Sequence, residues 1–416
     1  MIEIHPTIKY NLTKCPNCKG DLIPEQLHWQ GVHTCTKSKC CVCEKFYLAD
    51  LPINQSSVLY RILEIESEKI FDKDSEEVTK QTLWFNDKLT AILNPVIKDV
   101  VINIEIRNNF EKVIILNTVD FVYGHSLLLL MNLQRLINQL KDSDMGIIVI
   151  VQPMMKWLMP NENIAEIWTV NLKFNELSNY YPSVSEQINK ELKRFKNCYI
   201  SNGYVLPTNE KIEIGNFTKV SPFSFVNKIK RPRITYIWRE DQGRLWIRNI
   251  YLLKGMQKLG FTKILLPFHL IRIKLFFYLL NKMLKGNTYQ LTLAGLGSYG
   301  NFASYVEDKR IQGFSEKEER DTCQVYAESE LVIGVHGSSM LLPSGHAGMT
   351  VSMMPSKRWG NFAEDILSNC DDARLASFQQ RIIPINLSIF DTIDICIDML
   401  KGRDYFIEKF IHSNDL

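Results

Sequence analysis

The sequence predicts an α/β protein with two doubly wound domains facing a cleft, preceded by a small cysteine-rich segment. From about residue 112 onward, apolar strand patterns alternate with helical patterns. A basic, proline-containing stretch of low periodicity at 221–233 separates two such series. Six of the ten cysteines lie between residues 15 and 43. We therefore expect three parts, with the bounds 1–51, 52–228 and 229–416.

The bulk composition is that of a soluble globular protein. The 416 residues exceed one ordinary core, and 45% of them are hydrophobic and 23% charged. The net charge of +3 does not force a polyanion-binding surface. A basic start followed by an apolar run is missing, so we expect a reduced cytoplasmic protein, with the inner face of the membrane as a second location.

The most apolar stretch, 264–284, is interrupted by proline, histidine, arginine and lysine. These residues argue against a transmembrane segment. The helical part, about 270–284, is predicted to face the core. Peripheral membrane attachment is the minority alternative.

The cysteine-rich segment has the spacing of a zinc ribbon. Two C-x2-C pairs are separated by twenty-one residues, and four thiolates satisfy tetrahedral zinc. Four such ligands leave no position for a substrate, so the zinc is predicted to be structural. Cys35 could replace a ligand only with a less regular spacing, and His28 and His33 are expected to be surface residues. The predicted ligands are Cys15, Cys18, Cys40 and Cys43.

Apolar runs followed by helical patterns indicate a parallel sheet in each of the two larger parts. The first series comprises strand 112–120, helix 124–141, strand 145–152 and strand 198–207. The second comprises strand 234–239, helix 244–260, strand 263–268, helix 270–284, strand 289–297, helix 316–329, strand 331–336 and strand 349–355.

The strand at 331–336 runs through small residues toward a helix, in the stretch "HGSSM". In open parallel sheets, ligands bind beyond the carboxyl ends of the strands, where backbone N–H groups and a helix dipole attract phosphate. This stretch is a candidate anion site, made of His336, Gly337, Ser338 and Ser339. The alternative is a tight turn with incidental polar residues.

Two arginines form a second candidate anion site. Arg239 ends the strand 234–239, and Arg244 begins the next helix. Guanidinium groups can grip a diphosphate bidentately. The alternative is surface pairing of these arginines with Glu240 and Asp241.

A third candidate follows the strand at 349–355. Arg358 and Trp359 come shortly after it, and Asn361 and Glu364 could accept hydrogen bonds from ribose hydroxyls. The alternative is an exposed helix start with acidic capping. All three candidates fall on the same predicted edge of the second sheet, and together they describe a pocket for a nucleoside diphosphate.

With these motifs the chain resembles a glycosyltransferase of the GT-B type, in which two Rossmann-like domains face a cleft. "LVIGVHGSSMLLP" (331–343) is similar to the GxHG stretch of GT61-like glycosyltransferases, and "VYGHSLLLLMNLQRL" (122–136) to their YxHW…L segment. Ser126 stands where that family often has tryptophan. The resemblance implies a nucleotide-sugar donor, a glycan or other hydroxyl acceptor, and phosphate contacts at Arg239 and from His336 to Ser339.

His125 is the candidate general base of the first domain. It lies where a strand passes into a helix, and an imidazole is suited to removing a proton from an acceptor hydroxyl. Asp120 is the second candidate base. A structural hydrogen bond at the helix start is the alternative role for His125.

Two further motifs are weak. "GLGSYG" (295–300) matches a dinucleotide-binding pattern, but no strong helical pattern follows it. "DSD" (142–144) precedes a strand, whereas manganese-binding D-x-D motifs follow one. We therefore expect chemistry that does not depend on a catalytic metal.

The alternative function is a zinc-ribbon nucleic-acid-binding protein with a non-catalytic α/β body. Such a protein needs clustered basic residues with aromatic platforms. "KRFKNCYI" and "NKIKRPRITY" come nearest to this pattern, but the balanced charge of the chain does not favour it.

Overall fold

The computed structural model describes residues 1–10, 14–72, 83–160, 163–204, 211–225, 229–240, 245–247, 249–284, 288–361, 366–368 and 378–411. The chain divides into two compact units, Met1–Leu206 and Pro207–Leu416. The predicted domain boundary after residue 228 lies downstream of this division.

The first unit contains eleven strands among its described residues, in two sheets. They are β1 (Ile2–His5), β2 (Leu22–Gln30), β3 (His33–Cys40), β4 (Phe46–Asp50), β5 (Arg61–Glu64), β6 (Ile70–Asp72), β7 (Ile102–Ile106), β8 (Lys112–Asn117), β9 (Met145–Val151), β10 (Ile164–Val170) and β11 (Asn197–Ile200). Its helices are α1 (Leu83–Thr90), α2 (Tyr123–Gln139) and α3 (Pro182–Leu192).

The larger sheet of this unit has the order β1-β11-β8-β9-β10-β7. Its four central strands are parallel, and β1 and β7 pair antiparallel at the two edges. Strand β8 therefore lies between β9, which follows it in the chain, and β11, which comes last. The strand order reverses at β8, and crevices for ligands open at such reversals.

Strands β2 to β6 form a second, antiparallel sheet in sequential order, and this sheet carries the cysteine cluster. It continues to Asp72, past the predicted ribbon end at residue 51, while β1 belongs to the larger sheet. Trp29 and Leu51 of this ribbon sheet are buried in the core of the larger sheet. The ribbon is thus an integral part of the first unit.

The expectation that His33 lies on the ribbon surface is wrong. Its side chain is fully buried, with Nδ1 2.8 Å from Oδ1 of Asp50 and Nε2 2.9 Å from the backbone oxygen of Phe85. His28 is half-buried, and its Nδ1 lies 2.8 Å from the hydroxyl of Tyr180. Both histidines join the ribbon to the rest of the unit, because polar groups that are buried need partners.

The second unit has one sheet of six strands, all parallel, in the order β14-β13-β12-β15-β16-β17. Numbered within the unit, this is the 3-2-1-4-5-6 order of dinucleotide-binding α/β domains. The strands are β12 (Arg233–Arg239), β13 (Gln290–Leu296), β14 (Val306–Ile311), β15 (Ser329–Val335), β16 (Met349–Met354) and β17 (Gln380–Pro384). The predicted class, two α/β units with a cysteine-rich ribbon, is confirmed.

The helices of the second unit cover its sheet. They are α4 (Ile214–Thr218), α5 (Ile250–Lys258), α6 (Leu266–Met283), α7 (Glu316–Ala327), α8 (Leu341–His346) and α9 (Ile389–Ile411). The strand predicted at 263–268 is wrong, since Thr262–Leu265 is a 3-10 helix that leads into α6. Pro267 is compatible with α6 because it lies in the first turn, where a backbone N–H has no hydrogen-bond partner within the helix.

Candidate functional site

His125 and Asp120 meet at the carboxyl end of β8, where the strand order of the first sheet reverses. Asp120 follows β8, and His125 lies in the first turn of α2. Nδ1 of His125 is 3.2 Å from Oδ2 of Asp120 and 2.9 Å from Nε2 of Gln55. The side chain of His125 is 31% exposed, whereas that of Asp120 is 1% exposed. The carboxylate can therefore fix the imidazole while the ring faces solvent.

Asp120 is held by its neighbours. Its Oδ1 accepts a 2.7 Å hydrogen bond from the backbone N–H of Val122, and its backbone oxygen accepts one of 2.8 Å from the amide of Gln152. The same amide donates to Oγ of Ser126 at 2.8 Å. Ser126 is buried in this network.

The second sheet reverses its order between β12 and β15, which are paired in parallel. Arg239 is the last residue of β12, and the segment from His336 onward begins directly after β15. Strand β16 is the next neighbour of β15, and Arg358 follows it. The three predicted anion-site segments therefore leave the carboxyl ends of three adjacent strands.

Two glycines shape the segment after β15. A Cβ atom on Gly334 would lie 2.6 Å from Sδ of the buried Met340, so a larger residue here would have to displace that side chain. Gly337 has a φ of 140°, which side-chain-bearing residues rarely adopt. After this bend, Ser338 and Ser339 are half-buried. Among the described residues, Oγ of Ser339 is shielded from solvent and has no hydrogen-bond partner.

His336 is buried, whereas a residue that contacts phosphate at the protein surface would be exposed. Its side chain is 1% exposed, and its backbone N–H donates to the oxygen of Met353 at 2.9 Å. That N–H is therefore not available to an anion. The remaining candidate groups are the imidazole of His336 and the polar groups of Gly337, Ser338 and Ser339.

Sequence reasoning missed Glu319, a neighbour of Arg239. Glu319 lies on α7 and is 8% exposed. Burial raises the pKa of its carboxyl to about 7, Glu318 adds to this increase, and the guanidinium of Arg239 opposes it. Nothing in the pattern around residue 239 indicates this electrostatic interaction, because the two residues are eighty positions apart.

The other predicted donor residues are less defined. Arg358 and Trp359 are exposed on the 3-10 segment Ser356–Asn361, which Asn361 ends. Arg244 and Glu364 lie outside the described residues.

The "GLGSYG" loop is occupied by a carboxylate of the chain itself. Oε1 of Glu240 accepts hydrogen bonds from the backbone N–H of Tyr299 at 2.6 Å and from the indole of Trp238 at 2.9 Å. A Cβ atom on Gly297 would lie 2.3 Å from the same oxygen. A dinucleotide phosphate would have to displace Glu240. The carboxylate of Glu240 therefore serves this loop.

The four predicted metal ligands lie together. Their sulfur atoms are all within 4.8 Å of one another, with Cys15 and Cys43 3.7 Å apart and Cys18 and Cys40 3.4 Å apart. A tetrahedral ion with Zn–S bonds of about 2.3 Å holds its sulfurs roughly 3.8 Å apart. The donor set therefore fits a zinc ion.

Groups around Cys15 favour its thiolate. Burial raises the pKa of Cys15, but the Tyr47 hydroxyl and the backbone N–H groups of Cys18 and Asn17 outweigh it and lower this pKa to about 6. At Cys18 the backbone N–H of Gly20 lowers the pKa, but burial and the other three cysteines outweigh it and raise that pKa to about 12. Cys35 is buried elsewhere, packed with Leu48 and Leu63, and is not part of the cluster.

Lysines of the ribbon are paired with carboxylates. Lys14 contacts Asp21 at 2.5 Å, and Lys39 contacts Glu44 at 3.4 Å. Lys45 similarly contacts Glu64 at 2.5 Å. Such pairing leaves fewer cations for a phosphate backbone, which does not favour nucleic-acid binding.

No family model and no curated protein matches the sequence. Among solved structures, the chain is similar to Escherichia coli ADP-heptose lipopolysaccharide heptosyltransferase II. The match covers 71% of this chain and 100% of that chain, at 9% sequence identity and a TM-score of 0.39. At this TM-score the likeness supports no conclusion about activity.

Proposed function

We propose that this protein is a glycosyltransferase, which moves a sugar from a nucleoside-diphosphate donor to a hydroxyl group of a glycan or another acceptor. The observation that carries the proposal is the position of Arg239 at the order reversal of a 3-2-1-4-5-6 parallel sheet, next to the bend at Gly337. Nucleotide phosphates bind at this point in such sheets.

The donor diphosphate is assigned to the carboxyl edge of the second sheet. Arg239 supplies a positive charge that can bind two phosphate oxygens, and the hydroxyls of Ser338 and Ser339 add donors. As the bond between the anomeric carbon and the phosphate oxygen breaks, negative charge grows on the leaving diphosphate. Donors fixed before the reaction stabilise that charge at little reorganisation cost.

The acceptor is assigned to the first unit. The acceptor oxygen bonds to the anomeric carbon, and its proton passes to Nε2 of His125. Asp120 is too buried to meet a substrate, so it acts as a positioning residue that orients the ring. For Nε2 to accept the proton, Nδ1 must carry one, and the side-chain amide of Gln55 must then turn its oxygen toward Nδ1. In this arrangement a third group orients the base toward the hydroxyl that it deprotonates.

The GxHG and YxHW-like segments support a GT61-like enzyme within this class. The first carries Gly337, whose φ of 140° favours glycine, and Gly334, which packs against Met340, and the second carries His125. The buried Ser126 network differs from that family at a position next to the base. We therefore infer that the acceptor differs from those of GT61-like enzymes.

Zinc in the four-cysteine cluster is assigned a structural role. Four thiolates fill a tetrahedral ion, which leaves no position for a substrate. The ion would brace a ribbon whose sheet shares its core with the first unit.

The experiment that tests the proposal is a thermal-shift screen of the zinc-loaded protein with UDP, GDP, CMP, ADP and NAD. A nucleotide at 100 times its Kd stabilises by about 2.7 kcal/mol, or roughly 5–10 °C for a unit of this size. We expect one nucleoside diphosphate to give this shift in the wild type and not in Arg239→Ala. Arg381→Ala, an exposed arginine on β17, is the matched control.

Three outcomes decide the matter. A shift that Arg239→Ala abolishes and Arg381→Ala keeps supports the donor site. A shift with NAD alone would instead indicate a dehydrogenase. No shift with any nucleotide would overturn the donor assignment.

A further inference from the structure

The outer face of α6 and of the turn before it is apolar. Ile264, Phe268, Ile271, Leu275 and Tyr278 are each between 42% and 63% exposed. Their spacing of three or four residues places them in one stripe along the helix. Soluble proteins rarely expose a continuous apolar surface of this extent without a function for it.

The opposite face of α6 is part of the core of the second unit. Ile273, Phe276, Phe277 and Leu280 are almost fully buried there, against residues of the sheet. Among the described residues, Thr262–Met283 is one helix with the length and composition to cross a membrane. Since its inner face is packed against the sheet, the helix can lie on a bilayer but cannot span it in this fold.

Helix α5 and the turn after it extend the apolar surface. Tyr251, Leu252, Leu259 and Phe261 are between 48% and 81% exposed. The inner residues of α5 pack with the start of α6, so both helices form one rigid element. We call these four side chains and the five of the α6 stripe the α5–α6 face.

The charged residues of the chain segment that carries this face have one sign. Residues 242–306 contain nine lysine and arginine residues and no aspartate or glutamate. Lys258, Lys263 and Lys274 are exposed on the same element. Lys254 lies within hydrogen-bonding reach of Lys357, and this contact lowers the pKa of Lys254. Burial and the charge of Lys258 lower it further. Clustered like charges favour an anionic partner.

A second copy of the chain fits this face poorly. A two-fold symmetric contact places the same patch against itself, so the lysines of one copy would face the lysines of the other. The segment 242–306 supplies no carboxylates to separate these charges. An anionic bilayer offers both features that the face needs, an apolar interior and negatively charged headgroups.

We propose that the α5–α6 face docks the protein onto the surface of an anionic lipid bilayer. The apolar side chains enter the interfacial region, and the lysines contact headgroup phosphates while their stems lie along the apolar surface. This docking is independent of the proposed catalytic function, because it uses none of the residues assigned to donor or base.

The test is co-sedimentation of the full zinc-loaded chain with large vesicles of phosphatidylcholine alone or with 30% phosphatidylglycerol. We expect binding to the anionic vesicles at least tenfold tighter than to the neutral ones. Phe268→Asp/Ile271→Asp should abolish it. Each of Lys258→Glu and Lys263→Glu should weaken it by about fivefold or more.

Phe390→Asp, at a phenylalanine that is 60% exposed on α9, is the matched control and should bind like the wild type. Circular dichroism of each variant checks the fold, since all these side chains are exposed. Failure of the wild type to bind anionic vesicles would overturn the proposal. So would equal binding by the apolar variant, or sedimentation velocity showing a wild-type dimer that this variant dissociates.

Discussion

Nδ1 of His125 lies 3.2 Å from Oδ2 of Asp120, and the two side chains differ sharply in exposure, at 31% and 1%. A buried carboxylate behind a partly exposed imidazole fixes the orientation of the ring. The position of the pair at the reversal of the first sheet places it where α/β folds bind ligands.

His125→Ala is expected to lower kcat/KM by about 10²–10⁴-fold, the usual contribution of a general base. Asp120→Asn is expected to lower kcat more than it raises KM, because it misorients the ring without removing it. Transfer kinetics with the donor found in the nucleotide screen, measured across pH, check both. Donor affinity should stay at the wild-type value, and full activity in His125→Ala would rule out its role as base.

Metal removal is expected to unfold the ribbon. Structural zinc contributes on the order of 10 kcal/mol to the folding of small zinc-finger peptides. Cys40→Ser should reduce bound zinc from one ion per chain to near zero and lower the melting temperature. Cys41→Ser is the control, since Cys41 is exposed and outside the cluster. Elemental analysis and thermal melts measure both, and equal zinc content in the two variants would contradict the ligand assignment.

Gly334→Ala and Gly337→Ala are each expected to destabilise the second unit. The first substitution places a methyl group against Met340, and the second forces an unfavourable φ. Each should lower the free energy of unfolding by about 1–3 kcal/mol. Gly255→Ala in α5 is a control with the opposite expected sign. Its Cβ would meet nothing within 4 Å, so the substitution should raise the free energy of unfolding by about 0.5–1 kcal/mol. Urea titrations measure all three, and a neutral Gly334→Ala would show that the loop can rearrange.

Glu319 is expected to make the stability of the second unit pH-dependent. Its folded pKa of about 7 lies above the ordinary 4.5, so between these values the folded state binds a proton that the unfolded state releases. Stability is therefore lost as pH rises through this window, by up to about 3 kcal/mol. Glu319→Gln should be more stable than the wild type at pH 8 and should lack this dependence.

Urea melts at pH 5 and pH 8 measure the Glu319 effect. Asp321→Asn on the same helix is the control, because Asp321 is exposed and should leave the dependence in place. A wild-type slope that Glu319→Gln does not alter would assign the effect to another group.

Most central strands were predictable because they are buried on both faces. Strand β10 is also fully buried but was missed, since Glu166 interrupts its apolar run. β8 and β15 are continuous runs of apolar residues, which the sequence displays directly. The edge strands β7, β14 and β17 were missed, since each has only one buried residue and no clear pattern. Short apolar runs do not distinguish helix from strand, which explains the error at 263–268.

The candidate site was predictable only where its residues follow one another in the chain. His125 and Asp120 are five positions apart, and the GxHG segment is continuous. Gln55 and Glu319 are brought in by the fold from distant segments. No local pattern marks them, because a glutamine or a glutamate at a helix or turn is ordinary until its neighbour is known.

Strand β1 precedes the ribbon in the chain, yet it pairs with β11 at the edge of the larger sheet. The ribbon is therefore inserted into the α/β unit rather than appended to it. Removing everything up to Asp72 would also strip the edge from β11 and expose its backbone hydrogen-bonding groups to other chains. A ribbon-free variant that keeps the sheet intact requires an internal deletion with a linker that reconnects β1 to the rest of the unit.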